Sequence, residues 1–192
     1  MADWMNLGQQ FKVNARKYPH SVALKDAARS YSYAQANLRV NRLAHSLLGL
    51  GLQKGDKIAV LLENSIEIIE LYLATAKTGL VIVPINFRLV GREVAFIVNN
   101  SDAKALVVDA EFVPLVEEIQ GELPGIAPER IIVVGAAATG FQSYNELIAA
   151  GAEQEPQVAV APRDTWILIY TSGTTGKPKG VVRSHESHIA FY

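Results

Sequence analysis

Thr171, Ser172, Thr174 and Thr175 set four hydroxyls among Gly173, Gly176 and Gly180, with Lys177 and Lys179 beside them, all inside ten residues that follow an apolar run. Glycine lets the backbone turn so that successive N–H groups converge on an anion, hydroxyls add donors, and lysines neutralise charge. The chemistry that suits this combination is the holding of a polyphosphate. A solvated glycine-rich turn in a hairpin is the plainer alternative, but so rich a segment directly after a buried strand favours a phosphate cradle. It is not a Walker loop: G-x-x-x-x-G-K-[ST] ending on Gly176-Lys177 needs Gly at 171 and Ser or Thr at 178, where the chain has Thr171 and Pro178. Pro178 also disfavours a helical Lys177, so no helix starts there to receive phosphates.

Other candidates carry less. His185 and His188 stand three apart, a spacing that on a helix would put two imidazoles on one side as metal ligands. No suitable third ligand is near, since a helix would aim Glu186 elsewhere, so first-turn polar residues or pocket lining are the preferred reading. His20 and His45 read as surface residues, Trp166 as core, and Arg88 as a capping or interface residue.

The elements that must position the loop alternate helix-like and strand-like periods from Tyr33 onward, the pattern of an α/β protein in which parallel-sheet layers are covered by helices. Val40, Leu43, Ala44, Leu47 and Leu48 form one helical face, stopped by Gly49 and Gly51. Residues 57–62 predict a strand covered on both sides, with Ile58, Val60 and Leu62 facing one way and Ala59 and Leu61 the other. A helix over 65–78, capped by Asn64 or Ser65 and closed by Gly79, leads to a strand at 80–83 that Pro84 ends. Helices at 91–99 and 112–123 lead into strands at 105–108 and 131–134. A connector with one weak helix at 144–150 precedes a last apolar strand, 165–170. The expected division is a first α/β subdomain over 1–163, followed at 164–192 by the strand, the phosphate-binding loop and the start of a helix.

Composition narrows the rest. The chain has 192 residues, 49% hydrophobic and 19% charged, enough apolar material for a substantial core. A net charge of -1 provides no basic field, which argues against nucleic acid as a partner. Without cysteine there is no disulfide framework, thiolate nucleophile or Cys-based zinc site. The first ten residues do not read as a secretory signal, and Glu67, Glu70, Lys77 and Pro84 interrupt the window most like a membrane span. The expectation is a cytoplasmic protein.

The run Tyr170 to Val181, YTSGTTGKPKGV, resembles the signature loop of the adenylate-forming acyl-CoA synthetase superfamily. The resemblance extends along nearly the whole chain, through Gly55-Asp56-Lys57-Ile58-Ala59, Asn64, Gly79, Val83-Pro84-Ile85-Asn86 and Asp164. Asn86-Phe87-Arg88-Leu89 is similar to the fatty-acyl and aryl-acyl branch rather than the peptide-synthetase branch. Gln35-Ala36-Asn37 depart from the family's usual Glu-Leu and bear only on local helix packing.

The resemblance implies the N-terminal part of a large adenylation domain. In that family a carboxylic acid and ATP, with magnesium, give an acyl-adenylate and pyrophosphate, and the acyl group then passes to coenzyme A. By likeness, Thr171, Ser172, Gly173, Thr174, Thr175, Gly176, Lys177, Lys179 and Gly180 would bind ATP, and Thr171 would give a hydroxyl to magnesium. Lys179 is preferred over Lys177 as the catalytic charge on the departing pyrophosphate. The family's adenine, acyl-pocket and C-terminal motifs are not in this sequence, which ends at Tyr192 inside an expected helix, so a truncated polypeptide without ligase activity of its own is expected. The acid itself is not legible. Apolar surface left where further strands would dock would favour a homo-oligomer. A non-catalytic nucleotide- or phosphate-binding half-domain, or a structural protein with a vestigial loop, are the alternatives.

Overall fold

In the computed structural model, residues 6–136, 138–171 and 178–191 are described. Helix α1 (Leu7–Lys17) starts where the Asn6 side chain accepts from the N–H groups of Gly8 and Gln9, and a small antiparallel hairpin, β1 (Val22–Lys25) and β2 (Ser30–Ser32), follows. Helix α2 (Tyr33–Gly49) opens with a capping box in which Ser32 and Gln35 satisfy each other's backbone N–H. Strand β3 (Lys57–Leu61), helix α3 (Ile66–Thr78), strand β4 (Val81–Pro84), helix α4 (Gly91–Asn100) and strand β5 (Ala103–Asp109) form the centre. Helix α5 (Val113–Ile119), strand β6 (Ile131–Val134), strand β7 (Gln142–Ser143) and helix α6 (Tyr144–Ala150) complete one side. Strands β8 (Thr165–Thr171) and β9 (Lys179–Ser184) and helix α7 (His185–Ile189) complete the other.

The seven-stranded sheet runs β7-β6-β5-β3-β4-β8-β9, parallel except for β9. The chain moves from β3 to β4 in one direction and then crosses back past β3 to β5. Because such crossovers keep one hand, the reversal puts α3 and α4 on opposite faces and buries the central strands on both. Ile58, Val60 and Leu62 accordingly pack into the core under α1, α2, α3 and α6, while Ala59 and Leu61 enter the core under α4 and α5, as the alternation predicts.

Several elements differ from the sequence reading. Helix α1 and the β1–β2 hairpin precede the expected first helix. The expected 112–123 helix is α-helical only over Val113–Ile119, with single 3-10 turns on either side. The expected terminal helix starts at His185 and ends at Ile189. Lys179 and Gly180, read as loop, open β9.

The charges that break the apolar window at Glu67, Glu70 and Lys77 are buried and paired. Arg29 binds Glu67, Arg39 and Tyr144 bind Glu70, and Lys77 binds Glu155, Asn37 and Asn41. No helix among the described residues is long and apolar enough to cross a membrane.

Residues 151–164 carry the chain from the β7 edge back across α2 and α3 to β8, and side chains hold them throughout. Asn41 donates to the Glu153 carbonyl, Lys54 to that of Ala159 and Asn6 to that of Val160, at 2.8, 2.8 and 2.9 Å.

Candidate functional site

The candidate loop leaves the carboxyl end of β8, the side from which open α/β sheets receive ligands. Below β8, Asp164 accepts from the Ala161 N–H and the Lys54 ammonium, both at 2.6 Å. Burial would raise the Asp164 carboxyl, but those bonds outweigh it and hold it below its ordinary value. Trp166 donates its indole N–H to the Tyr72 carbonyl at 3.0 Å and packs against the Tyr72 ring, with centroids 5.7 Å apart. The strand therefore starts from an anchored base.

His185 stacks on Trp166 at 6.0 Å, and His188 meets the indole edge-on at 4.7 Å. His185 is fully buried, and its Nδ1 accepts the Leu7 N–H at 3.4 Å, joining the start of α1 to the hairpin base. Burial, with lesser contributions from His188 and Lys54, outweighs the attraction of Asp164 and lowers the imidazole to about 4. The histidine pair is thus aromatic packing. Among the described residues no group of three or more His, Asp or Glu side chains is gathered for a metal.

Beyond the base, β8 and β9 pair antiparallel from Ile167 with Arg183 to Thr171 with Lys179. The loop is therefore a hairpin connection, as the plainer alternative had it. Seven residues separate Thr171 from Lys179, more than the two to five of an ordinary hairpin loop, so closing the turn does not account for its length. Thr171 and Lys179 form the last registered pair. Directly opposed residues project from one face with Cβ atoms about 5 Å apart, so a hydroxyl and an ammonium share the mouth of the loop. Both residues are exposed, as is Gly180. Ser172, Gly173, Thr174, Thr175, Gly176 and Lys177 lie outside the described residues.

The sequence reading missed β9, although Val181 and Val182 are β-branched residues following a glycine. It also missed the Tyr170 hydroxyl's bond to Asn100 Oδ1 at 2.8 Å, which joins residues 70 positions apart and leaves no local signal. Arg88, read as a capping or interface residue, lies over the Phe87 ring at 5.6 Å, while its N–H donates to Asn86 Oδ1 in a local turn.

Comparison with known proteins gives the family and the fold. A family model described as AMP-binding enzyme matches residues 11–192. The chain is 38% identical over 186 residues to the long-chain-fatty-acid–CoA ligase FadD13 of Mycobacterium tuberculosis, covering 95% of this chain and 35% of that protein. It is 35% identical over 168 residues to the 3-hydroxybenzoate–CoA/4-hydroxybenzoate–CoA ligase of Thauera aromatica, covering 86% and 32%. The solved structure of the anthranilate CoA ligase AuaEII in complex with anthranoyl-AMP superimposes with a TM-score of 0.91 at 29% identity, covering 97% of this chain and 36% of that one. The chain spans about a third of the length of these relatives.

Proposed function

The chain belongs to the AMP-binding enzyme family, and from that premise we propose that it is the N-terminal portion of a ligase joining a carboxylic acid to coenzyme A through an acyl-adenylate. The observation that carries this reading is the hairpin register, which opposes Thr171 and Lys179 across an over-long loop of glycines and hydroxyls. A carboxylate oxygen attacks the α-phosphorus of ATP, the bond to the β,γ-diphosphate breaks, and pyrophosphate leaves. Such a step needs no side-chain nucleophile. It needs alignment and donors where charge accumulates.

The loop from Thr171 to Gly180 supplies those donors, and Lys179 brings a fixed positive charge to the leaving pyrophosphate. Magnesium keeps most of its waters and is otherwise held by phosphate oxygens and one or two carboxylates; the Thr171 hydroxyl would give it one ligand here, and the loop from Thr171 to Gly180 contains no carboxylate. When bound, the ion would neutralise phosphate charge. The fatty-acyl and aryl-acyl ligases among the relatives support a fatty or aromatic acid as substrate.

Calorimetric titration of the chain with Mg-ATP tests the reading. Thr174→Ala combined with Lys179→Ala is expected to weaken binding at least ~10-fold, as loss of a charge-assisted phosphate contact should. Unchanged affinity in that variant would refute the assignment of the loop. The chain alone is expected to release no pyrophosphate in the presence of acids, because the remaining two-thirds of the relatives' length would supply the acyl and adenine pockets.

A further inference from the structure

Strand β8 meets the parallel sheet at one registered pair, Ile82 with Ile167, and above it pairs only with β9. Above that pair the hairpin forms a two-stranded arm that packs Ile169 against one core and Leu168 and Tyr170 against the other, so its angle is set by that packing and by the side-chain bonds along it. Among the described residues, the side-chain hydrogen bond that joins this arm above Ile167 to the rest of the molecule runs from the Tyr170 hydroxyl to Asn100 Oδ1, at 2.8 Å. We propose that Tyr170 and Asn100 are positioning residues whose bond, with that packing, sets the angle of the arm and hence where the phosphate loop sits. The consequence for nucleotide rests on the function proposed above; the tether itself does not.

Two further observations support it. Gly180 lies opposite Tyr170 in the hairpin, and a Cβ there would fall 2.9 Å from Leu168 Cδ1 and 3.3 Å from Tyr170 Cζ. Gly180 is not among the glycines with positive φ, so the absent side chain serves the space taken by Leu168 and the Tyr170 ring rather than an unusual backbone. The Asn100 end is in turn a fixed post. Asn99 Nδ2 donates to the Glu122 carbonyl at 2.7 Å, the Ser101 hydroxyl to that of Val98 at 3.0 Å, and Asp102 turns the chain with φ 55. Tyr170 thus reaches from the arm to a helix end that is itself held in place.

Amide hydrogen exchange on the chain, read together with Mg-ATP titration, decides the matter. Tyr170→Phe keeps the ring and removes only the hydroxyl, and Asn100→Ala removes the acceptor. Each is expected to speed exchange at the amides of residues 168–171 and 179–182 about 3- to 10-fold, the effect of one neutral hydrogen bond, with β3 and β5 unchanged. The double variant should be no faster than either single one, and Asn100→Asp, which keeps an acceptor, should stay near the parent. Parental exchange in Tyr170→Phe, or equal acceleration in β3 and β5, would overturn the tether. If the tether positions the loop, the dissociation constant for Mg-ATP rises by a similar factor in Tyr170→Phe; unchanged affinity with faster exchange would overturn that consequence. A parent that binds no Mg-ATP would refute the assignment of the loop as a phosphate site in this chain, while exchange would still decide the tether.

Discussion

Arg39→Ala is expected to lower the unfolding free energy of the chain by about 3–5 kcal/mol, the usual cost of removing one partner from a buried ion pair. The Glu70 side chain is 0% exposed and its guanidinium partner 22% exposed, so removing Arg39 leaves a carboxylate at a buried position without its charge partner. Among the described residues, Tyr144, also buried, would be its remaining side-chain hydrogen-bond donor, at 2.9 Å. Arg39 additionally covers the Tyr31 ring at 4.8 Å, and that packing would go with it. Replacing both charges, as Arg39→Met with Glu70→Leu, should cost far less, because no uncompensated charge remains. Urea or guanidinium unfolding of the two variants against the parent measures this. A loss below ~1 kcal/mol for Arg39→Ala would show that the pair contributes little, contrary to the packing described.

Acidification is expected to destabilise the fold through His185 before most carboxylates titrate. Its imidazole is lowered to about 4 in the folded protein against an ordinary 6.5. Between those values the unfolded chain takes up a proton that the folded chain refuses, so protons draw the equilibrium toward unfolding. The contribution is complete above pH 6.5 and declines as pH falls toward 4, reaching about 2 kcal/mol lost at pH 5 and about 3 kcal/mol at the lower limit. His188 is also lowered, by burial and by Arg183, and adds in the same direction. His185→Phe retains a ring against Trp166 and removes the titrating group. The difference in unfolding free energy between pH 7.5 and pH 5 should therefore be about 2 kcal/mol smaller in His185→Phe than in the parent. Equal pH dependence in the two would refute the assignment to His185. Because Nδ1 holds the Leu7 N–H, the same protonation should loosen the start of α1 from the hairpin base.

The central elements were legible because their signals are local. The two faces of β3, the Gly79 stop of α3 with φ 69, the Ser65 cap and the α6 span Tyr144–Ala150 all follow from side-chain period or from one capping residue. The order in which strands assemble has no such local mark. Nothing between residues 57 and 171 announces that β8 inserts beside β4 rather than β7, or that residues 151–164 must cross the helices to bring it there. That placement depends on Asn41, Lys54, Lys77 and Asn6 meeting a segment more than 70 positions away. His185 was misread for a related reason. A histidine at the first turn of a short helix reads as polar surface, and only the packing of Trp166 and α1 around it removes it from water.

By itself the sequence determined what the loop is made of, that an apolar strand delivers it, and which residues face each side of β3, since composition and period are properties of neighbouring residues. The tertiary structure alone decided that the loop tips a two-stranded arm, that Thr171 opposes Lys179, that Tyr170 reaches Asn100, and that Glu67, Glu70 and Lys77 are buried with partners. These are contacts between distant residues, and closing the chain around them costs conformational entropy that only the cooperative burial of two cores offsets.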